Sequence, residues 1–295
     1  MTSGCDAARG SGCGPLPAPS ELARRYGIAA DRRLGQHFLF DPRILEKIAA
    51  AAAPFTQRRV VEIGAGPGGL TRALLDLGAE EVIAVEIDAR CVRALRELER
   101  AACGRLRILE KDALSLRLAE LAGGRPLVLV GNLPFNLASR LLVRWLHELD
   151  PVERMVLMFQ KEVAARIVAR PGTRAYGRLS VLAQRLCRIE KLFDIAPGSF
   201  RPPPRVEATV LRLQPRSDRP DGMRLSLLER ITAAAFGKRR KMLRASLAGF
   251  ELAPERWLAR AGIDPGRRAE ELTLEDFDRL VEVLMSLQSP RPGTA

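Results

Sequence analysis

The sequence predicts an α/β fold: a doubly wound parallel sheet, followed by a smaller all-helical C-terminal domain. Short apolar runs alternate with stretches of helical periodicity between residues 59 and 159, which is typical of parallel strands joined by crossover helices. Three consecutive prolines at residues 202–204 exclude helix and central strand from that segment. From Met223 onward only helical patterns occur. These observations place the sheet first and the helices after it.

The chain divides into three predicted regions. Residues 1–33 are rich in Gly, Ala and Pro, and we expect a flexible N-terminal extension that is poorly ordered up to Ser20. Residues 34–214 form the predicted α/β domain. Residues 214–221 are polar and contain proline, which favours a linker, and residues 222–290 form the predicted helical domain.

Local signals support individual helices. Asp41 followed by Pro42 is typical of an N-cap with proline at the first helical position, so a helix is expected to run to about Ala53. A short helix is expected at residues 21–26. Trp145 belongs to a row of apolar residues at helical spacing, which favours a structural role in the core.

Composition limits the possible partners. The 295 residues include 48 Lys or Arg and 35 Asp or Glu, which gives a formal net charge of +13. That excess attracts a polyanion and makes binding depend on salt. No apolar run approaches transmembrane length, and the N-terminus lacks the hydrophobic segment of a signal peptide. We therefore expect a cytoplasmic protein without a membrane partner, and monomeric.

Cysteine usage argues against a metal site. The five cysteines contain no C-x-x-C pair, so neither a zinc site nor a disulfide framework is indicated. We expect free thiols of a reducing compartment, and no bound metal.

The tetrapeptide Asn132-Leu133-Pro134-Phe135 is the most informative motif. It follows residues 127–131, an apolar run that predicts a buried parallel strand. The Asn oxygen can accept a hydrogen bond from an exocyclic amine, Pro134 fixes the local backbone, and Phe135 offers a face for stacking. This pattern suits methylation of an amine on adenine or cytosine. The alternative is an ordinary strand-to-helix turn with a core Phe.

A glycine-rich loop upstream indicates a cofactor site. The string at residues 64–69 follows a predicted strand, and its glycines allow a tight turn and close approach of a cofactor. Glu86, about twenty residues on, ends a second strand, where it can accept hydrogen bonds from ribose hydroxyls. Both features also fit a dinucleotide-binding G-x-G-x-x-G pattern, so the loop and the acid are compatible with either NAD or S-adenosylmethionine as the cofactor.

Two further carboxylates bear on this choice. Glu62 lies just before the glycine-rich loop and favours S-adenosylmethionine, because that cofactor carries cationic centres and no pyrophosphate. Asp112 ends a third strand and can accept from the adenine amine of a cofactor. Alternatively, Asp112 is an ordinary solvent-exposed acid at the end of a strand and does not contact a cofactor.

Taken together, the motifs resemble a known family. They are found in one order between Leu34 and Val206, and the similarity as a whole covers about Leu34 to Leu284. They comprise Leu34-Gly35-Gln36-His37-Phe38-Leu39, Glu62-Ile63-Gly64-Ala65-Gly66-Pro67-Gly68, Glu86-Ile87-Asp88, Lys111-Asp112-Ala113, the tetrapeptide, Gln160-Lys161-Glu162-Val163-Ala164 and Phe200-Arg201-Pro202-Pro203-Pro204-Arg205-Val206. The chain resembles the ribosomal RNA adenine N6,N6-dimethyltransferases, which implies a Rossmann-like methyltransferase domain.

The resemblance implies an activity and its residues. The expected reaction is S-adenosylmethionine-dependent transfer of two methyl groups to each of two adjacent adenines near the 3′ end of small-subunit (16S) rRNA, within an immature 30S particle. The tetrapeptide would be catalytic. The implied cofactor contacts are His37, Leu39, Gly64, Glu86, Asp112 and Asn132. Two positions depart from the family: it often has Asn at position 37 and Tyr at position 135, and Phe135 keeps the stacking face.

Substrate contacts are expected in two further places. Phe200 would form the other wall of the base pocket, or else pack in the core. Lys238, Arg239, Arg240 and Lys241 are expected on one helix and are predicted to contact rRNA phosphates, with a solvated face as the alternative.

Three other functions remain to be separated from this one. A large-subunit rRNA adenine methyltransferase of the macrolide-resistance type shares the core motifs. A mainly non-enzymatic ribosome-assembly factor could keep the same fold. An NAD enzyme would share the glycine-rich loop, but no hydride-site His or Lys is evident near the strand ends.

Overall fold

The computed structural model describes residues 15–250 and 253–288. The chain forms two compact units: residues 1–161 with 190–214, and residues 162–189 with 215–295. The division differs from the predicted one at residues 162–189, which group with the helical unit. Whether residues 34–214 and 222–290 act as separate functional domains stays a prediction.

The described residues of the first unit form the sheet and six α-helices. Its strands are β1 (Phe38–Leu39), β2 (Arg59–Ile63), β3 (Val82–Glu86), β4 (Leu106–Glu110), β5 (Leu127–Asn132), β6 (Val152–Gln160), β7 (Cys187–Ile195, from Glu190 on), β8 (Phe200–Arg201) and β9 (Ala208–Pro215). Its helices are α1 (Pro19–Arg25), α2 (Pro42–Ala52), α3 (Gly69–Asp76), α4 (Ala89–Ala101), α5 (Leu118–Ala122) and α6 (Ala138–Trp145).

Seven strands form one twisted sheet in the order β4-β3-β2-β5-β6-β9-β7. Strands β2 to β6 pair in parallel, and β9 pairs antiparallel with β6. The doubly wound parallel sheet is thus confirmed, with an antiparallel strand added at one side. Strands β1 and β8 form a separate antiparallel pair, in which Leu39 lies opposite Phe200.

Burial explains the strand composition. All five residues of β3 are buried, as are the first five of β5, because helices cover both faces of a parallel sheet. The Asp41 side chain accepts from the backbone N–H groups of Arg43 and Ile44, which confirms the predicted cap of α2. Trp145 is fully buried, as its helical spacing predicted.

The N-terminal region is partly described. Residues 1–14, for which disorder was expected, lie outside the described part. The short predicted helix is present as α1 and begins two residues earlier than expected, because Pro19 is favoured in the first turn. Leu22 is fully buried and the Tyr26 hydroxyl donates to Glu97 at 3.0 Å, so α1 is packed onto the first unit.

The second unit is helical from Gly222 through its described residues, as predicted. Its helices are α7 (Lys161–Ile167, from Glu162 on), α8 (Arg178–Leu186), α9 (Gly222–Gly237), α10 (Leu243–Ser246), α11 (Pro254–Arg260) and α12 (Leu274–Gln288). Trp257, Tyr176 and Phe277 are fully buried and supply much of its core volume.

The expectation of free thiols is confirmed for two cysteines and wrong for a third, while Cys5 and Cys13 lie outside the described residues. Cys91 and Cys187 are free and buried, and burial raises the pKa of the Cys187 thiol to about 12, so both are inert at neutral pH. Cys103 is disulfide-bonded, so the prediction is wrong for that residue. Spacing alone did not indicate this bond, because disulfide pairing depends on three-dimensional proximity.

Candidate active site

A cavity lies in the first unit at the carboxyl ends of the central parallel strands. The chain departs from β2 toward β3 on one side and β5 on the other, and ligands of open α/β sheets bind at such a switch point. The cavity is lined by residues 33–38, Ile63 with Gly64 and Gly66, residues 85–87, 112–113 and 132–137, and Leu141. Five of the sequence motifs therefore meet at one place.

The glycine-rich loop forms the floor of this cavity. Gly64 and Gly66 have φ values of +72° and +55°, in the left-handed region that favours glycine. A Cβ atom on Gly66 would lie 3.0 Å from the Phe38 ring, and one on Gly64 would lie 3.6 Å from the Asn132 carbonyl oxygen. Side chains at these positions would fill the space beside the tetrapeptide, so the glycines keep it open.

Glu86 is held by the loop that it faces. Its carboxylate accepts from the N–H groups of Gly66 at 2.7 Å, Ile87 at 2.7 Å and Asp88 at 2.8 Å. Burial raises the pKa of the Glu86 carboxyl, and these three donors oppose the shift by stabilising its charged form. A carboxylate offers about four acceptor positions, so one remains for a hydroxyl in the cavity.

Asp112 is an exposed acceptor at the cavity rim. Its Oδ1 atom caps the short turn Ala113–Ser115 by accepting from the Leu114 N–H at 2.9 Å. No described residue donates to its Oδ2 atom, which leaves one oxygen for a polar ligand.

Glu62 does not line the cavity, so the argument from its charge was wrong. Its side chain is 1% exposed and accepts a hydrogen bond from the Thr71 hydroxyl on α3. Burial raises the pKa of Glu62 to about 8, so this group is mainly protonated at neutral pH. It serves the packing between strand and helix in this structure.

The tetrapeptide begins at the last residue of β5. The half-buried Asn132 donates through Nδ2 to the His37 carbonyl oxygen at 2.9 Å, and its Oδ1 atom receives no hydrogen bond from the described residues. The Pro134 carbonyl already accepts from the N–H groups of Leu137 and Ala138 at the start of α6. Of the main-chain carbonyls of Leu133 and Pro134, that of Leu133 is therefore the one available to accept a proton of the target amine.

Phe135 packs against His37. Their ring centroids lie 5.5 Å apart with an interplanar angle of 33°. A base inserted between two rings needs roughly 7 Å, twice the optimal carbon–carbon contact distance. A stacked base must therefore use the face of Phe135 that is turned away from His37.

Leu39 and Phe200 lie in the core of the first unit. Both are buried and outside the cavity lining, with Phe200 fully buried. Successive strand residues point to opposite faces, so Phe38 faces the cavity and Leu39 faces the core. The structure therefore favours core packing for Phe200. Since the Leu39 side chain faces the core, the predicted contact of Leu39 with the cofactor would have to be made by its main chain.

Residues 33–38, which we call the strap, are fastened by hydrogen bonds that no sequence pattern indicated. The Gln36 side chain accepts from the Asp31 N–H at 2.9 Å and donates to Asp88 Oδ2 at 3.0 Å. His37 Nδ1 donates to the Pro202 carbonyl at 2.8 Å. A glutamine or an exposed histidine carries no spacing signal, so these partners are visible only in three dimensions.

The four consecutive cations are not on a helix, contrary to the prediction. Helix α9 ends at Gly237, where low helix propensity favours termination, and residues 238–241 form the turn before α10. All four side chains are exposed. Arg239 donates to the carbonyl oxygens of Arg174 and Tyr176, which fixes that one arginine to its own unit.

Two negative findings apply to residues 15–250 and 253–288. No group of three or more His, Cys, Asp and Glu side chains in this part of the chain is arranged to hold a metal ion. No helix there is long and apolar enough to cross a membrane.

Similarity to known proteins agrees with the geometry. The family model for ribosomal RNA adenine dimethylase matches residues 28–286. Ribosomal RNA small subunit methyltransferase A of Rhodospirillum rubrum is 49% identical over 269 residues, 91% of this chain and 93% of that protein. The protein of the same name from Bradyrhizobium diazoefficiens is 45% identical, over 93% of this chain and 97% of its own length.

Solved structures share the fold. A dimethyladenosine transferase from Plasmodium falciparum superposes with a TM-score of 0.69 and 26% identity, over 85% of this chain and 98% of that one. The 23S rRNA methyltransferase ErmE superposes with a TM-score of 0.66 and 28% identity, over 84% of this chain and 99% of that one. The family match and the relatives that span more than nine-tenths of its length show that this chain belongs to the ribosomal RNA adenine dimethylase family.

Proposed function

We propose that this enzyme uses S-adenosylmethionine to dimethylate N6 of two adjacent adenosines near the 3′ end of small-subunit (16S) rRNA. One observation carries the proposal: Asn132 shares a cavity with the Glu86 and Asp112 carboxylates, and its side-chain oxygen receives no hydrogen bond from the described part of the chain. Relatives at 45–49% identity carry the small-subunit name, which favours that rRNA over the 23S rRNA named for ErmE.

The cavity residues fit the proposed cofactor. Glu86 has one acceptor position left for a ribose hydroxyl, and Asp112 Oδ2 is open to an adenine amine. Gly64 and Gly66 leave room for close approach, and the strap main chain borders the same space. S-adenosylmethionine supplies an activated methyl group on a sulfonium, so the protein need not activate the donor.

The tetrapeptide would orient the target amine. Asn132 Oδ1 and the Leu133 carbonyl can each accept one N6 proton, which favours a pyramidal nitrogen with its lone pair directed out of the ring plane. The free face of Phe135 can stack an unstacked base and stabilise positive charge that develops on the nitrogen. Positioning of this kind supplies most of the expected catalysis, without a protein general base.

The proposed substrate is rRNA within an immature 30S particle, and the proposed site of action is the cytoplasm. We propose that the protein works as a monomer. The exposed cations at residues 238–241 support contact with rRNA phosphates.

The decisive experiment measures labelled methyl transfer to immature small subunits, mature small subunits and large subunits, with the modified positions mapped. We expect dimethyladenosine in immature small-subunit rRNA alone. Modification confined to 23S rRNA would support the macrolide-resistance type of activity. Absence of transfer to any substrate, with subunit binding intact, would support an assembly factor.

A second measurement tests the cofactor. Calorimetry should detect binding of S-adenosylmethionine and none of NAD. Glu86→Ala should weaken the affinity through lost charge-assisted hydrogen bonds, each worth about 1.5–3 kcal/mol. If a folded Glu86→Ala protein binds S-adenosylmethionine with unchanged affinity, Glu86 does not contact the cofactor and only stabilises the loop.

A further inference from the structure

We infer that the main-chain carbonyl of His37 determines which way the Asn132 amide points, and thereby turns Asn132 into an acceptor for the target amine. His37 would act here as a positioning residue through its backbone. The inference rests on the proposed role of Asn132 and assigns a new role to the strap. It concerns the orientation of the side chain, whereas the proposed function concerns its presence.

The two ends of an Asn side chain have almost the same shape and opposite hydrogen-bonding character. The nitrogen end carries two donors, and the oxygen end carries only acceptors. Shape therefore does not choose between the two orientations, so the neighbouring groups must choose. At Asn132 the neighbour is the His37 carbonyl, which lies 2.9 Å from Nδ2 and can only accept.

The opposite orientation of the amide would fail at both ends. Its oxygen would face the His37 carbonyl oxygen, acceptor against acceptor. Its NH2 group would face the N6 amine, donor against donor. In the observed orientation Oδ1 receives no hydrogen bond from the described residues and stays available to the cavity.

The carbonyl can select the orientation only if it is itself held in place. His37 Nδ1 donates to the Pro202 carbonyl at 2.8 Å, which fixes the residue on one side. On the other side, Gln36 is fastened to Asp31 at 2.9 Å and to Asp88 at 3.0 Å, and Asp88 is only 7% exposed. Turning the His37 carbonyl away would break these contacts.

Asn132→Asp tests the inference because it keeps two acceptor oxygens and removes the N–H donor. At pH 8 the introduced carboxylate would face the His37 carbonyl, so we expect transfer to be lost as completely as in Asn132→Ala. As the pH falls, protonation provides an O–H that can donate to the carbonyl, and part of the activity should return.

Thermal stability without cofactor gives an independent readout. The carbonyl oxygen disfavours the charged form, so the folded-state pKa of the introduced carboxyl should be raised. Its stabilising hydrogen bond is then present at low pH and lost as the pH rises through that pKa. The melting temperature of Asn132→Asp should therefore approach that of the wild type as the pH falls.

The wild type and Asn132→Ala serve as controls that assign the pH dependence to the carboxyl introduced by Asn132→Asp. Other charged or titratable groups lie near the introduced carboxyl, but the wild type and Asn132→Ala contain them as well. They are Arg33, His37, Glu86 and Asp112 in the cavity lining and Asp88, which fastens the strap. The difference in stability between Asn132→Ala and the wild type should not vary with pH. A deficit of Asn132→Asp that is equally independent of pH would overturn the inference, as would wild-type activity of Asn132→Asp at pH 8.

The wild-type protein offers a second measurement if a variant does not fold. The Asn132 side-chain NH2 should exchange about tenfold more slowly than that of the exposed Asn136, because one of its hydrogens is bonded to the His37 carbonyl. Equal exchange would contradict the inference. A different result, full activity of Asn132→Ala, would instead overturn the proposed function of Asn132.

Discussion

Glu62 and Glu86 end neighbouring parallel strands, yet their surroundings give them different roles. Glu86 meets three backbone N–H groups and retains one acceptor position toward the cavity. Glu62 meets one hydroxyl and a fully buried environment, which favours its neutral form. A carboxylate at a strand end is therefore a ligand-binding candidate only if donors are present to stabilise its charge.

Glu62→Gln should change how stability depends on pH. Because the folded-state pKa of about 8 exceeds the ordinary 4.5, Glu62 contributes stability below pH 4.5 that is lost as the pH rises toward 8. The neutral Gln keeps a partner for Thr71 and has no such dependence. The melting temperature of Glu62→Gln relative to the wild type should rise between pH 4.5 and 8. A constant difference across that range would mean that Glu62 is charged in the folded protein.

Methyl transfer should survive an aromatic replacement of Phe135 and be strongly slowed by a small one. Phe135→Ala removes the stacking face, worth roughly 1–3 kcal/mol, and also the ring that packs on His37. Phe135→Tyr keeps both and should stay active. Single-turnover transfer to immature small subunits measures the effect. Phe193→Ala, the same truncation at a half-buried Phe outside the cavity lining, serves as a size control. Equal rates for Phe135→Ala and the wild type would exclude stacking at this residue.

At the scale of elements, the strap is the part of the site that depends on distant partners. Gln36 reaches Asp88 after β3, His37 reaches Pro202 beside β8, and the His37 carbonyl reaches Asn132 at the end of β5. One short segment thus joins the two halves of the cavity. Its conformation depends on side chains far from it in the sequence.

Gln36→Ala should loosen the strap without unfolding the unit. Two hydrogen bonds of the half-buried Gln36 are lost, at a net cost of about 1–3 kcal/mol to the closed strap. We expect weaker S-adenosylmethionine binding and slower transfer, with little change in melting temperature. Arg93→Ala on the exposed face of α4 is a matched control that should change neither. A Gln36→Ala protein with wild-type affinity and rate would show that the strap holds without this side chain.

The sequence predicted the sheet and the cap at Asp41, because those features depend on periodicity and on local capping signals. The gathering of five motifs at one cavity was implied by the family resemblance. It did not predict the burial of Glu62, the core position of Leu39 or the contacts of Gln36. Each of these depends on which face or partner a side chain meets in the folded chain. The roles of Asn132, Phe135, Glu86 and Asp112 in catalysis and cofactor binding stay predictions.

At the scale of the whole molecule, charge is the feature that local structure does not explain. The sheet and the cavity do not require a net charge of +13. An excess of this size favours association with a polyanion and sets a dependence on salt. The turn at residues 238–241 concentrates four cations in consecutive exposed positions. Because it is a turn, its side chains are not spread around a helix, and more than two of them can face one partner.

Neutralising Lys238, Arg240 and Lys241 together should weaken binding to small subunits and flatten its salt dependence. Each lost phosphate contact lowers the log–log slope by about 0.7 to 0.9, so three contacts would lower it by roughly two to three. Arg239 is left in place because it donates to the carbonyl oxygens of Arg174 and Tyr176. Binding titrations at several salt concentrations measure the slope, and calorimetry should show unchanged affinity for S-adenosylmethionine.

A matched control removes the same charge elsewhere. Arg93, Arg100 and Arg107 are exposed in the first unit, so replacing all three by Ala lowers the net charge from +13 to +10, as the turn variant does. If the turn makes direct contacts, the slope changes for the turn variant and much less for the control. Equal changes in both variants would mean that only the overall charge attracts the RNA. An unchanged slope in the turn variant, with its circular dichroism intact, would reduce residues 238–241 to a solvated surface.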